Sequence, residues 1–293
     1  MKHPNFFIIG APKCGTTSLA RWLGEDKQIF MSQPKEIYFF DTDMNVGEIK
    51  SLDEYLQIFK YATEKHLAVG ESTVTYLISR IAVKNILDFN PNAKFIVMLR
   101  SPISMALSLH LELLWDGWEC IESFDEAWNF RKERASGTVP KGKYCTVPEF
   151  LDYENMCKSG EQVERLLNTV DKKLVLFVVM DDLVINPLSE YKRVLEFLGV
   201  SYSGKTKFDV VNAQKVARSL FVRRLTIAMY VLKCKVGLDK LSFGLLNEVD
   251  NYNKRSHSPI LNPELKQELV DTFRNDVSIL SGIMGRDLSH WLK

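Results

Sequence analysis

The sequence predicts an α/β fold, a parallel sheet flanked by helices on both faces in a single domain, and three observations predict it. Three compact apolar runs, Phe6 to Ile9, Phe95 to Leu99 and Leu174 to Val179, lack polar alternation, the pattern of strands buried on both faces. Each is followed by apolar residues at three- and four-residue spacing, in Thr17 to Leu23, Ile103 to Leu114 and Pro187 to Leu198, which is helical periodicity. Strand and helix alternate in the order of a doubly wound sheet, whose ligands sit at the carboxyl ends of the strands.

The remaining elements follow in chain order. A shorter strand candidate, Leu67 to Val69, precedes GESTVTYL. Trp115 to Pro148, rich in Gly, Lys and aromatic residues with short helical pieces, reads as an insertion or lid at 115–148. Lys215 to Lys235 carries six basic residues and no acidic one, with Ala217, Leu220, Phe221, Leu225, Ala228, Met229 and Leu232 at helical spacing. It reads as a core-packed helix with a solvated basic rim, or as one facing an anionic acceptor or membrane surface. A loop from Asn251 to Pro259, a helix from Pro263 to Leu280 and a short ending, Gly285 to Leu292, complete the chain. No repeat or low-complexity linker divides it, so one domain over 1–293 is expected.

Composition sets the bounds. At 46% hydrophobic residues, with neither Gly nor Pro in excess, the chain is neither disordered nor collagen-like. Its 38 basic and 37 acidic side chains give a net charge of +1, which argues against nucleic acid as a main partner, so any anion site is local. No run approaches the roughly 18 apolar residues of a membrane span, and the four before Gly10 are too few for a signal-peptide core. A cytoplasmic protein is expected. The cysteines, at 14, 120, 145, 157 and 234, form no CxxC and no Cys/His ligand spacing, so reduced thiols and no metal site are expected. Oligomeric state has no signal in the sequence.

After the first strand comes Gly10-Ala-Pro-Lys-Cys-Gly15-Thr16-Thr17-Ser18, opening into a helix. The spacing is P-loop-like, G-x-x-x-x-G-x-[ST], but Thr16 holds the lysine position and the lysine has moved to Lys13. The glycines let the backbone wrap an anion, and the amides of Gly15 to Ser18 would point at it from the helix N-terminus. A nucleoside triphosphatase would need Mg²⁺ held by a strand-end Asp. The second strand ends in Leu99-Arg100, and the third reaches Asp181-Asp182 only after Met180. A sulfuryl group carries one charge fewer than a phosphoryl group, so a lysine and backbone amides suffice for its transfer. The pattern favours sulfuryl transfer without metal.

PKCGTTSL resembles the 5′-phosphosulfate loop of sulfotransferases that use 3′-phosphoadenosine 5′-phosphosulfate (PAPS). Five further segments agree in order: KEIYFF at 35–40, GESTVTYL at 70–77, FIVMLRSPISMALS at 95–108, DDLVINPLSEYKRVLEFLGV at 181–200 and GRDLSHWL at 285–292. The resemblance spans nearly the whole chain and is closest to the heparan-sulfate type and to bacterial carbohydrate or small-molecule enzymes. It implies PAPS as donor, adenosine 3′,5′-bisphosphate as product, a carbohydrate or small-molecule acceptor, and a role for the 115–148 segment as an acceptor-side lid.

The resemblance also assigns residues. Lys13, Cys14, Gly15, Thr16, Thr17 and Ser18 form the 5′-phosphosulfate loop. Arg100 and Ser108 match the pair that holds the donor's 3′-phosphate, and a guanidinium at a strand end with a hydroxyl two helical turns on could converge on one phosphate. Lys254 and Arg255, in Asn253-Lys254-Arg255-Ser256-His257, occupy the place of a basic loop closing over the same phosphate, and either could make the contact. An alcohol is a poor nucleophile until its proton is removed, which calls for a base. The family uses the glutamate matching Glu36. Its apolar and aromatic flank could raise its pKa, although Lys35 pulls the other way. Lys13 would neutralise the leaving group, and Lys35 would position the acceptor or a sulfate oxygen.

Two features depart from the pattern. Ser72 stands where heparan-sulfate enzymes usually carry the lysine of GEKSP, which argues against a highly sulfated acceptor. His110 reads as a helix-surface or lid residue rather than the base used by phenol and steroid enzymes. Tyr76, Trp115 and Trp118 are aromatic candidates for an acceptor pocket, or core residues. Two other functions fit the loop alone: a P-loop nucleotide kinase-like phosphotransferase, and a non-catalytic nucleotide- or sulfate-binding protein.

Overall fold

The computed structural model describes residues 2–136, 138, 141–209, 216–235, 245–255 and 261–293. Five strands, β1 (Phe6–Gly10), β2 (Ile29–Met31), β3 (Ala68–Ser72), β4 (Lys94–Leu99) and β5 (Val175–Val179), form one sheet in the order β2-β3-β1-β4-β5. Every pair is parallel, with Ile8 opposite Ser72 on one side of β1 and Ile96 on the other. All residues of β1 and β3 are buried, as are those of β4 after Lys94. Such strands need cover on both faces, which is why their sequences read as unbroken apolar runs.

The helices are α1 (Thr16–Gly24), α2 (Leu52–Gln57), α3 (Ala82–Phe89), α4 (Pro102–Asp116), α5 (Phe124–Asn129), α6 (Arg131–Ala135), α7 (Tyr153–Cys157), α8 (Ser159–Leu167), α9 (Met180–Ile185), α10 (Pro187–Leu198), α11 (Leu220–Lys235), α12 (Leu245–Asn253) and α13 (Pro263–Met284). The best-signposted helix is α10. Asn186 caps it by accepting from the Ser189 amide at 3.1 Å, Pro187 opens it, and Gly199 closes it at φ 77°. Those three residues supply the cap, the preset φ and the left-handed terminus that a helix of this length asks for.

Two compact units are formed. The first comprises Met1–Met105, Met156–Val211 and Leu269–Lys293 and contains the whole sheet. Its C-terminal segment is tied to the end of β5: Trp291 Nε1 donates to Asp181 Oδ2 at 2.7 Å, and Arg286 Nη2 to Asp182 Oδ1 at 2.9 Å. The second unit comprises Ala106–Asn155 and Asn212–Glu268. Inside it the buried Glu119 accepts from Arg134 and from the Tyr153 hydroxyl at 2.7 Å through Oε2, and from the amides of Cys120 and Ile121 at 2.6 and 2.7 Å through Oε1. A two-stranded antiparallel ladder, β6 (Val216–Ala217) with β7 (Lys254–Arg255), and the helices α11 and α12 also belong to it.

Several sequence expectations are corrected. The loop expected over Asn251–Pro259 is, in its described part, the end of α12 followed by β7, because Asn253 is tied on both sides to Ser219: its Oδ1 accepts from the Ser219 amide and its Nδ2 donates to the Ser219 carbonyl, both at 2.9 Å. Residues 256–259 lie outside the described residues, as does Lys215 of the basic segment. His110 is buried rather than at a helix surface, its Nε2 3.0 Å from the Ile121 carbonyl oxygen, and burial pushes its imidazole below its usual range. The strand β2 was not expected; Ile29-Phe30-Met31 is apolar but too short to read as a strand by itself, and pairing with β3 defines it.

Candidate active site

The strand order places the topological switch at β1 and β4. The connection leaving β1 leads through α1 to β2 on one side, and the one leaving β4 leads to β5 on the other. Ligands of open α/β sheets bind at the carboxyl ends of such a strand pair. There the β1–α1 loop turns over. Gly10 has φ 141°, and a Cβ on it would lie 2.8 Å from the Val74 carbonyl oxygen, so only glycine fits. Gly15, at φ 85°, is the N-cap of α1. The Ser18 and Leu19 amides both return to the Gly15 carbonyl, at 3.0 and 3.2 Å, closing the first turn. The amides ahead of them are the ones a helix leaves without an intrahelical acceptor, aimed where an anion would sit.

Between the glycines, Lys13 adopts φ 61°, and Arg100, at the end of β4, donates from Nη1 to the Lys13 carbonyl at 3.1 Å. That bond fixes the loop from the neighbouring strand and brings a second cation beside it. Cys14 points inward. Its Sγ lies 3.4 Å from the Pro12 carbonyl oxygen and 3.6 Å from Met105 Sδ, and burial pushes the thiol up to about 12 against the pull of Arg100 and Lys13. Only its backbone is available to a ligand. Thr16 and Ser18 are buried, and Thr17 is half-buried.

Glu36 is mounted on the adjacent strand. Its amide donates to the Ser72 carbonyl at the end of β3 at 2.9 Å, and β3 pairs directly with β1. The carboxylate accepts from Lys35 Nζ on Oε1 and from the Tyr38 hydroxyl on Oε2. Glu36 has φ 64° and Tyr38 φ 55°. Lys13, Glu36 and Tyr38 are three of the four non-glycine residues with positive φ among the described residues. Such conformations cost on the order of 1–3 kcal/mol each and persist where the surroundings over-determine them, commonly at functional sites.

The surroundings that do so are in GESTVTYL. Glu71 is fully buried. Its Oε1 accepts from the Thr73 hydroxyl at 2.9 Å and from the Tyr76 hydroxyl, and its Oε2 from the Tyr55 hydroxyl. In turn Thr73 Oγ1 accepts the Ile37 amide at 3.0 Å, and the Tyr76 hydroxyl accepts the Phe39 amide at 3.1 Å. Burial pushes the Glu71 carboxyl up to about 7, against the downward pull of its three hydroxyl donors. Glu71, Thr73 and Tyr76 therefore hold the loop that carries Glu36. Tyr76, considered for an acceptor pocket, is core. Sequence reasoning missed Glu71; the one available signal was a carboxylate inside an otherwise apolar strand, which calls for buried donors.

The structure thus brings together Lys13 to Ser18, Lys35, Glu36 and Arg100 in the first unit. Ser108, on α4, is buried in the second unit, and Lys254 and Arg255 form β7 there, opposite Ala217 and Val216. Ser72 is fully buried, and its Oγ has no hydrogen-bond partner.

A profile of the sulfotransferase domain matches residues 3–220. Over 115 residues the chain is 32% identical to the membrane-associated sulfotransferase kil1 of Dictyostelium discoideum, covering 38% of this chain and 24% of that protein. Over 204 residues it is 27% identical to the human heparan sulfate glucosamine 3-O-sulfotransferase 5, covering 67% of this chain and 54% of that protein. The chain spans from a quarter to just over half of the length of these relatives. The crystal structure of a sulfotransferase from Alicyclobacillus acidocaldarius is similar over the full length of both chains, with a TM-score of 0.72 and 26% identity.

Proposed function

The chain belongs to the sulfotransferase family, and from that premise we propose that it transfers a sulfuryl group from PAPS to a hydroxyl group, with an amine as second choice, of a carbohydrate or small metabolite. The observation that carries this reading is the placement of two left-handed residues at the ends of adjacent strands, Lys13 in the loop after β1 and Glu36 anchored to the end of β3.

The donor supplies an activated sulfuryl group on a phosphate leaving group. The residues present fit such a group: the first-turn amides of α1, Lys13 and Arg100 follow the carboxyl ends of the neighbouring strands β1 and β4, and Arg100 is bonded to the loop. Glu36 takes the acceptor's proton as its oxygen attacks. Each carboxylate oxygen has more than one lone-pair direction, so the bonds from Lys35 and Tyr38 orient it and still leave room for the acceptor hydroxyl. Lys13 offsets negative charge as the leaving group separates. Burial of Ser72, where relatives of the heparan-sulfate type carry lysine, favours an acceptor with few anionic groups.

Thermal-shift measurements with adenosine 3′,5′-bisphosphate, ADP and ATP-Mg²⁺ test the reading. The bisphosphate at 100 times its dissociation constant should stabilise the fold by about 2.7 kcal/mol. Equal or greater stabilisation by ATP-Mg²⁺ would favour a phosphotransferase instead. The acids after β5 that such an enzyme would use are already engaged by Trp291 and Arg286.

A further inference from the structure

Helix α11 presents an apolar stripe to solvent. One side is fixed inward: Thr226 and Ile227 are buried, Arg223 Nε donates to the Trp115 carbonyl at 2.7 Å, and Arg223 Nη1 and Thr226 Oγ1 reach Asp250 of α12 at 2.6 and 2.9 Å. On the other side Phe221, Leu225, Met229 and Leu232 are 77%, 52%, 49% and 62% exposed. At about 100° per residue these four fall in one arc of roughly 80°, and they extend about 16 Å along the axis. Half of the large apolar side chains that stand exposed among the described residues are on α11 and α12. A contiguous apolar surface of this kind marks an interaction site.

The charges beside the stripe identify its partner. Arg224 and Lys233 flank it on opposite sides of the helical wheel. Arg224 meets only the exposed Glu122, at 3.7 Å, among the ion pairs of the described residues, and Asp250 faces the buried side, where Arg223 neutralises it. Glu248, on α12, is the one exposed acid of this helix pair among the described residues. From 215 to 235 the sequence has no acidic residue. A second copy docking through the same stripe would set these basic flanks against each other, and facing like charges oppose association. An anionic bilayer suits both features, taking the apolar residues to the depth of the acyl boundary and the flanking cations among its headgroups.

We propose that the α11 face is a peripheral docking surface for anionic lipid bilayers. The test is co-sedimentation of the full chain with vesicles of phosphatidylcholine alone or mixed with phosphatidylserine. Binding to the mixed vesicles is expected, weaker binding to phosphatidylcholine alone, and loss as salt is raised. Arg224→Glu should weaken partitioning by about fivefold or more, the worth of one basic residue near such a surface. Leu225→Glu should abolish it. Both variants should keep the bisphosphate thermal shift, showing that they are folded. Failure of the wild-type chain to sediment with the mixed vesicles overturns the proposal, as does undiminished binding by Leu225→Glu. A concentration-dependent dimer that Leu225→Glu dissolves, without vesicle binding, would assign the stripe to a second copy instead.

Discussion

The Tyr38 hydroxyl donates to Glu36 Oε2 from a position two residues along the chain, and both residues hold left-handed backbone to make the contact. An extended strand would project residues 36 and 38 side by side, but the turned backbone lets the phenol fold back onto the carboxylate. With Lys35 on the other oxygen, the carboxylate has little rotational freedom. Glu36→Gln keeps the shape and removes the base, so labelled-sulfate transfer should fall by roughly 10²–10⁴-fold. The thermal shift given by adenosine 3′,5′-bisphosphate should stay as in the wild type. Near-normal turnover would move the base elsewhere. Tyr38→Phe, which deletes one hydrogen bond to a charged acceptor, should slow kcat by roughly tenfold or more.

Lys13 contributes in two separable ways, by its charge and by its φ of 61°. Lys13→Ala removes the charge and retains a side chain in the unfavourable conformation. Lys13→Gly removes the charge and relieves the backbone. If charge on the leaving group dominates, both variants should lower kcat by on the order of 10²–10³-fold and weaken bisphosphate binding less. Lys13→Gly should also melt higher than Lys13→Ala, because glycine occupies positive φ freely. Equal melting temperatures would show that the loop conformation costs nothing.

Three of the strands and α10 were legible because their signals are local: apolar runs for β1, β4 and β5, and a cap, a proline and a glycine around α10. The anion loop was legible for the same reason, since Gly10, Lys13 and Gly15 lie within six residues. What stayed hidden depends on distant partners. The role of Glu71 exists only because Tyr55, sixteen residues away, and Tyr76 point at it. β2 exists only beside β3. The inward turn of Cys14 needs Met105, and the burial of His110 needs the Ile121 carbonyl. The exposed stripe of α11 had correct helical spacing, but spacing alone gives a face and not the direction in which it points.

Gly10→Ala tests whether the loop is built as rigidly as its contacts imply. The new methyl would meet the Val74 carbonyl oxygen at 2.8 Å and Leu77 Cβ at 3.0 Å, with φ at 141°. Neither neighbour yields easily, since the Leu77 amide is bonded to the Ile9 carbonyl at 2.8 Å. A loss of about 1–3 kcal/mol in urea unfolding is expected, together with loss of bisphosphate binding. Gly204→Ala is a useful control, because its Cβ would meet nothing within 4 Å while its φ of 91° is also in the range that side chains rarely adopt. If the two variants lose the same stability, the Val74 contact contributes nothing beyond the backbone term.

Glu71 gives the protein a pH dependence with opposite signs for stability and activity. The carboxyl titrates near 4.5 when exposed and is pushed up to about 7 by burial, with Asp41 adding to the upward push and the hydroxyls of Tyr55, Tyr76 and Thr73 opposing it. Between those values the folded chain keeps a proton that the unfolded chain has released. Stability is therefore greatest below about 4.5 as far as this group is concerned, and it falls as pH rises through 7, by up to about 1.4 kcal/mol per pH unit. Activity should run the other way. The ionised carboxylate accepts from all three hydroxyls, which leaves the lone pairs of Thr73 and Tyr76 facing the amides of Ile37 and Phe39. A protonated carboxyl donates from one oxygen, so one hydroxyl loses its acceptor and the Glu36 loop loses part of its support. Glu71→Gln mimics that state at every pH. Urea midpoints across pH 4–8 should lose their Glu71-dependent slope in the variant, and the rise of kcat/KM with pH near 7 should flatten to a low plateau. A variant that keeps both profiles of the wild type would show that the loop holds Glu36 without help from Glu71.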